Sequence, residues 1–191
     1  MFLQEIIKYD GHQLHHRFAY QYFADQCRPT GDIIAFRGPM EVLEDAMIDQ
    51  EDVINRAFIY SDDAVNFLWE IPLLGNNRFG AVTYQRLFNT QIATLLSSEF
   101  LNKPVRMKGD DIMVMNNNRT FGKASVSITH VKNHAALGHT GINIKAGNRA
   151  PDIAYSTHLS DEAVNKFAEA VVNLFHDMNR DMFVATSKIR V

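Results

Sequence analysis

The sequence predicts an α+β fold, with a mixed or antiparallel central sheet and helices packed on it. Three observations carry that prediction. Residues 79–101 and the stretch after Ser160 place apolar side chains at helical spacing. Between them, residues 105–145 read as consecutive strands with no helix to carry a crossover. The order strand, helix, strand, loop, strand, helix, three strands, helix is not the strict alternation of a parallel α/β sheet.

Taken in order, residues 2–7 form a short apolar strand, and Asp10-Gly11 is a turn signal. Leu14, Phe18, Tyr22 and Phe23 fall at helical spacing and predict a helix over 14–27, ended by Pro29, Thr30 and Gly31. Residues 32–36 (Asp-Ile-Ile-Ala-Phe) suit a buried strand. Residues 37–63 read as a long acidic connection with room for a helical turn. They hold Glu41, Glu44, Asp45, Asp49, Glu51, Asp52, Asp62 and Asp63 against only Arg37 and Arg56. Long connections in compact domains are often functional, although a solvated acidic face has the same composition.

Residues 64–71 are strand-like and stop at Pro72. Tyr84, Phe88, Ile92, Leu95, Leu96 and Phe100 mark the buried stripe of the helix over 79–101, closed by Pro104. Strands follow at 105–107, 111–115 and 121–130, with a turn at Asn116-Asn117-Asn118. In the last of these, Lys123, Ser125, Ser127 and Thr129 alternate with Ala124, Val126 and Ile128. Residues 141–145 repeat the alternation, with Gly141, Asn143 and Lys145 on one face. Ser160 is a good N-cap and Asp161 and Glu162 suit a positive helix start. Val164, Phe167, Val171, Phe175 and Met178 give the final helix its stripe, and 186–191 is expected as a terminal strand.

At 191 residues and 46% hydrophobic content the chain is expected to form one domain over 1–191 with a sizeable core. The net charge of −3 argues against a general affinity for nucleic acid or anionic membranes. No stretch approaches the length of a membrane helix, and residues 1–10 lack the basic start and apolar run of a signal peptide. Cys27 stands alone, so no intrachain disulfide forms. It reads as a structural thiol in a reducing compartment, and a cytoplasmic location is expected.

Three segments carry chemistry. Val105-Arg106-Met107-Lys108-Gly109-Asp110-Asp111-Ile112 runs a strand into paired carboxylates. Lys123 sits on a strand that also presents Ser125 and Ser127. Gly138-His139-Thr140-Gly141-Ile142-Asn143-Ile144 starts a strand between two glycines. Each has a plain structural alternative: capping carboxylates, a solvated lysine, glycines for tight backbone. His12 and His16 would share a helix face, but no further metal ligands can be named for them. Trp69 and Tyr84 read as core.

The order and spacing of these segments resemble the biotin and lipoate protein ligases. There a strand enters a Pro-Asn-Asp-Leu motif, a hairpin returns a lysine in a Lys-Leu-Ala-Gly type motif, and a later strand reads Gly-x-Gly-Ile-Asn-Val. Asp110-Asp111 is similar to the Asn-Asp pair, Lys123 twelve residues later to the lysine, and Thr140-Gly141-Ile142-Asn143-Ile144 to the last motif. Residues 64–69 resemble the family's core strand and 79–101 its long helix, so the likeness spans roughly residues 32–147. Tyr9-Asp10-Gly11, Phe36-Arg37-Gly38, Met47-Ile48-Asp49 and Gly109-Asp110-Asp111-Ile112 look still more like an uncharacterised family of small proteins placed structurally beside the ligases.

The resemblance implies the class II synthetase and biotin/lipoate ligase core. It implies a ligase or acyltransferase acting on a small carboxylic acid or its acyl-adenylate, with ATP and Mg²⁺ as cofactors. The alternative is a non-catalytic binding module that kept the pocket. Lys123 and Asp111 take the catalytic positions. Lys123 would bridge a substrate carboxylate and a phosphate, as a preorganised positive charge. Arg37, Gly38, Asp110, Ser125, His139, Gly141 and Asn143 are the expected ligand-binding residues, and Asp111 with Asp49 the expected metal ligands. The partner is a small carboxylic acid or a nucleotide, with no membrane, and a homodimer is left open. Two departures stand out. Only Arg37 and Gly38 remain of the ligases' Gly- and Arg-rich phosphate loop before the chain turns acidic, and Val126 replaces a glycine expected three residues after the lysine. The acidic connection is expected beside the pocket, with Arg37 pointing inward.

Overall fold

The computed structural model describes residues 1–23, 28 and 30–190. Its centre is a five-stranded mixed sheet in the order β1 (Phe2–Ile6), β2 (Asp32–Glu41), β3 (Tyr60–Ile71), β8 (Ala135–Lys145), β7 (Ser125–Lys132). β1 runs parallel to β2, and every other neighbouring pair in this sheet is antiparallel. A second, three-stranded antiparallel sheet holds β4 (Val105–Lys108), β5 (Asp111–Met115) and β6 (Phe121–Lys123).

β3 from Ala64 onward and β8 up to Ile144 are buried on both faces, with polar residues such as Asn66, Thr140 and Asn143 among the apolar ones. Val65, Phe67, Trp69 and Ile71 point to a core shared with α3 (Arg78–Leu95) and α4 (Asp161–Ser187). Ala64, Asn66, Leu68 and Glu70 alternate to the other side, where Leu68 meets Ile34, Phe36, Met40, Tyr9, Leu14 and Phe18. Phe67, Phe88, Phe167 and Phe175 are fully buried in the first core. Each such side chain contributes about 1.5–3 kcal/mol relative to exposure. α3 starts at the Asn77 cap, whose side chain accepts from the Gly80 N–H, and α4 at the Ser160 cap, which accepts from the Ala163 N–H.

Several expectations are corrected. The predicted helix over 14–27 is, among the described residues, only α1 (Tyr20–Phe23). Arg17 is left-handed and its N–H donates to the Glu70 carboxylate at 2.8 Å, which holds the preceding chain in turns. Leu14 and Phe18 are still buried, so their spacing reported burial and not helicity. Cys27 and Pro29 lie outside the described residues.

β2 continues to Glu41 through Gly38-Pro39, because a bulge between Gly38 and Met40 accommodates a residue with no N–H to donate. β3 begins at Tyr60. The acidic connection therefore shortens to residues 42–59, with α2 (Gln50–Asn55) inside it. The helix expected over 79–101 becomes π-helical at Leu96–Leu101. No strand forms over 186–190: α4 runs to Ser187, and Val191 lies outside the described residues. Among the described residues no helix is long and apolar enough to cross a membrane.

The stretch read as one strand over 121–130 is two strands in two sheets. At Ala124, fully buried, the chain changes partners. Lys123 N–H donates to Ile153 O at 2.7 Å and Ala124 N–H to Ile112 O at 2.9 Å, while Ala124 O accepts from Asn143 N–H at 2.8 Å. The hydropathy alternation continues across this switch, so the sequence does not mark it. The switch sets Lys123 at the junction of the two sheets.

Candidate functional site

β4 and β5 are joined by the two-residue turn Gly109-Asp110, with Lys108 opposite Asp111 and Gly109 at φ 64°. A tight turn needing positive φ explains the glycine. It throws both carboxylates to one end of the small sheet. Asp110 is fixed by α3: its carboxylate lies 3.2 Å from Arg86 Nη1 and accepts from Gln85 Nε2 at 3.4 Å, and its carbonyl accepts from Asn89 Nδ2 at 3.0 Å. Asp111 instead faces Lys123, with Nζ 2.8 Å from Oδ1. The pair is partly exposed, at 35% and 25% of the side-chain surface, so it remains within reach of a ligand.

Both residues border a cavity of about 420 Å³ between the edge of the large sheet and residues 42–60. That volume suits a small molecule. Asp110, Asp111, Lys123, Ser125, His139, Asn143 and Asp49 all line it. Val126, Ile128 and Ile153 supply apolar surface, as do Val42 and Ile48 from the connection. The acidic connection does lie against the cavity. Val126, flagged in the sequence for its size, is part of the wall.

The remaining expected residues sit elsewhere. Arg37 does not line the cavity. Its guanidinium is held by Asp63 through Nε and Nη2, and Nη1 lies 2.6 Å from Asp161 Oδ1 at the start of α4. These carboxylates raise its pKa further, the Asp63 hydrogen bond most. Gly38 packs against the chain just after β1, where a Cβ would come 2.1 Å from Ile7 O. Gly141 is buried in the sheet beside His139 and Asn66 and does not line the cavity either.

Gly138, at the head of the same motif, lies opposite Trp69, and a Cβ there would come 2.0 Å from the indole. Its absent side chain makes room for a core tryptophan. Ser125 is fully buried, and its hydroxyl accepts from the Ile112 N–H at 2.8 Å. His139 is stacked on Tyr9 at 3.8 Å with Nε2 3.0 Å from Asn66 Oδ1. Burial pushes its pKa down to about 3, so the ring is neutral. The histidines near the N-terminus form no pair: His12 lies 3.4 Å from both Asp10 and Asp45, and His16 2.9 Å from Glu70.

A polar network absent from the sequence reading supports the site from α3. Asn89 Nδ2 and Gln85 Nε2 donate to Ser127 Oγ at 3.0 and 2.8 Å, and Thr140 Oγ1 donates to Asn89 Oδ1 at 2.8 Å. Asn89 and Thr140 are fully buried. The available signal was two amides four residues apart inside the apolar stripe of Tyr84, Phe88 and Ile92.

The cavity's charge decides which groups fit. Among the described residues its wall carries Asp49, Glu51, Asp52, Asp110 and Asp111 against Lys123 as the single Lys or Arg. Burial, then Asp49, raises the Asp52 pKa, and Lys123 acts the other way. A triphosphate would bring more negative charge to a wall already dominated by carboxylates, and Arg37 is occupied elsewhere. No magnesium cage built of protein side chains alone is preformed: among the described residues no three His, Cys, Asp or Glu side chains are arranged to hold a metal ion. Asp111 is engaged by Lys123, and Asp49 caps α2 by accepting from the Glu51 N–H at 2.8 Å. Among the described residues no cation is free to clamp a triphosphate here, since Arg37 is held by Asp63 and Asp161. What the arrangement can do is present one ammonium, held by a carboxylate, to a ligand oxygen beside an apolar wall.

This mixed sheet with its packed helices is the biotin and lipoate protein ligase catalytic-core fold. LipL1 of P. falciparum in complex with lipoate matches with a TM-score of 0.56 at 13% identity, over 94% of this chain and 61% of that one. Ta0514, a candidate lipoate protein ligase from T. acidophilum with bound lipoic acid, matches at 0.52 and 11%, over 92% and 85%. The chain itself belongs to the family described as Domain of unknown function (DUF366), whose model matches residues 1–190. A protein of unknown function from Pyrococcus horikoshi shares the whole architecture, with a TM-score of 0.83 and 25% identity over 100% of this chain and 97% of that one. No curated protein matches the sequence.

Proposed function

We propose that this chain, as one domain, takes a small carboxylic acid or its activated acyl derivative into the cavity, with Lys123 on the carboxyl or carbonyl oxygen. The observation that carries this reading is the 2.8 Å Lys123–Asp111 pair at the sheet junction, beside the apolar surface of Val126, Ile128 and Ile153. A fixed ammonium in a partly dry site stabilises negative charge as it develops on an acyl oxygen. The acidic wall and the engaged Arg37 favour transfer from an acyl group activated elsewhere over adenylation in this site. Catalytic roles for Lys123 and Asp111 rest on this reading. So does ligand contact by Asn143, His139, Asp110 and Ser125.

The second reading, a binding module without turnover, is favoured by the same lack of a phosphate clamp. A thermal-shift screen with lipoate, biotin, octanoate, their acyl-coenzyme A thioesters, and ATP with Mg²⁺ tests both. A ligand that binds only the folded state raises Tm. The proposal expects a rise with at least one acid or thioester and none with ATP and Mg²⁺. A rise with ATP and Mg²⁺ alone contradicts it, and binding without transfer to any acceptor leaves the module.

A further inference from the structure

The wall facing Lys123 is unbalanced. Asp49, Glu51 and Asp52, from the connection, make no ion pair among the described residues, whereas Asp110 and Asp111 each have one. Asp49 and Asp52 are half-buried, so water screens them less than open surface carboxylates. An acidic cluster alone would mean little, but a second feature lines the same cavity, beside Lys123. Asn143 is 2% exposed and its side-chain oxygen has no hydrogen-bond partner. Its Nδ2 turns to Lys123 O at 3.5 Å, which leaves Oδ1 as a buried acceptor waiting for a donor. A buried unpaired acceptor carries a desolvation cost that a ligand N–H would remove.

We infer that the ligand is an amine-bearing carboxylic acid or acyl group, whose ammonium is taken by Asp49 and Asp52 and whose N–H groups reach the Asn143 side-chain oxygen. This rests on the reading of Lys123 as the carboxyl-holding group, and adds the opposite end of the substrate. It also resolves a tension. A plain carboxylate entering this cavity is attracted by one lysine and repelled by several carboxylates, whereas a zwitterion is matched at both ends. The cavity, at about 420 Å³, has room for a short aliphatic spacer between the two.

Calorimetric titration with 6-aminohexanoate, hexanoate and hexylamine separates the two claims. On the parent protein at low salt, 6-aminohexanoate is expected to bind about tenfold tighter than hexanoate, the worth of one charge-assisted hydrogen bond. The gap should close in an Asp49→Asn/Asp52→Asn variant, whose hexanoate affinity is not weakened. Asparagine still caps α2, so the fold should be kept. Asn143→Leu should narrow the gap as well.

Equal or tighter binding of hexanoate by the parent overturns the inference and leaves the Lys123 reading standing. Binding of 6-aminohexanoate that is weakened in the Asp variant but indifferent to Lys123→Ala supports the ammonium site and overturns the Lys123 reading. Failure of all three probes at millimolar concentration overturns the inference for this ligand class, whatever the variants do.

Discussion

Replacing Gly138 by alanine separates architecture from ligand recognition in the motif that most resembles the ligases. The added Cβ would stand 2.0, 2.1 and 2.7 Å from three atoms of the Trp69 ring. The ring cannot swing away freely. It is fully buried, with Tyr84 packed against it at 5.1 Å in an edge-on arrangement. Relief requires either a displaced indole or a wider β3–β8 pairing at the centre of the sheet. Overpacking of this kind costs typically 1–3 kcal/mol, and contacts this short put the expected loss near the top, about 3 kcal/mol. In a chain of this size that corresponds to a fall in Tm of roughly 6–12 °C. Urea denaturation at fixed pH measures it. On a Trp69→Phe background the same alanine should cost much less, because the two sites share one volume and their effects are not additive. A loss under about 0.5 kcal/mol in the parent would refute the packing argument.

Asn89→Leu should destabilise by about 1–3 kcal/mol, since it strips partners from Thr140, Ser127 and the Asp110 carbonyl at once; chemical denaturation gives the value. Arg37→Met should cost no more than about 1 kcal/mol, because its ion pairs are partly exposed, and should leave ligand affinity unchanged in the same titrations that weaken for Lys123→Ala. His139 has its pKa pushed from the usual 6.5 down to about 3 by burial, so the unfolded chain takes up the proton first as pH falls. Its contribution to stability is present above pH 6.5 and is lost between there and about pH 3. The slope is about 1.4 kcal/mol per pH unit for one proton. Stability curves for the parent and His139→Gln should therefore converge with falling pH, and parallel curves would contradict the assignment.

The fold was legible wherever one periodicity ran for many residues. β3, α3 and α4 each present a long regular pattern, and their caps at Asn77 and Ser160 are local chemistry. The sequence was silent where tertiary partners override local pattern. Arg17 leaves the helical region because a carboxylate 53 residues away takes its N–H. The strand over 121–130 divides at Ala124 with its alternation intact, so nothing local marks the change of sheet. Pro39 reads as a break, yet a bulge keeps it in β2. In the site, the carboxylate pair, the lysine and Asn143 share one cavity, as their order along the chain suggested. A glycine that approaches a ligand and one that makes room for a side chain, as Gly138 does for Trp69, look alike in sequence. Gln85 and Asn89 were hidden in a stripe dominated by aromatic and aliphatic neighbours, and only the folded chain shows them reaching Ser127 and Asp110.

The proposed function turns on contact between Lys123 and the ligand's carboxyl or acyl oxygen inside this cavity. Its most direct test is calorimetric titration of parent and Lys123→Ala with the tightest acid or thioester from the thermal screen, alongside their melting temperatures without ligand. Loss of a partly exposed ion pair should cost stability no more than about 1 kcal/mol. Removing the charge-assisted contact should weaken binding by about tenfold or more. A variant that melts near the parent and binds far more weakly is the predicted result. A variant that binds with the parent's affinity would contradict the claim and leave the fold without an assigned site.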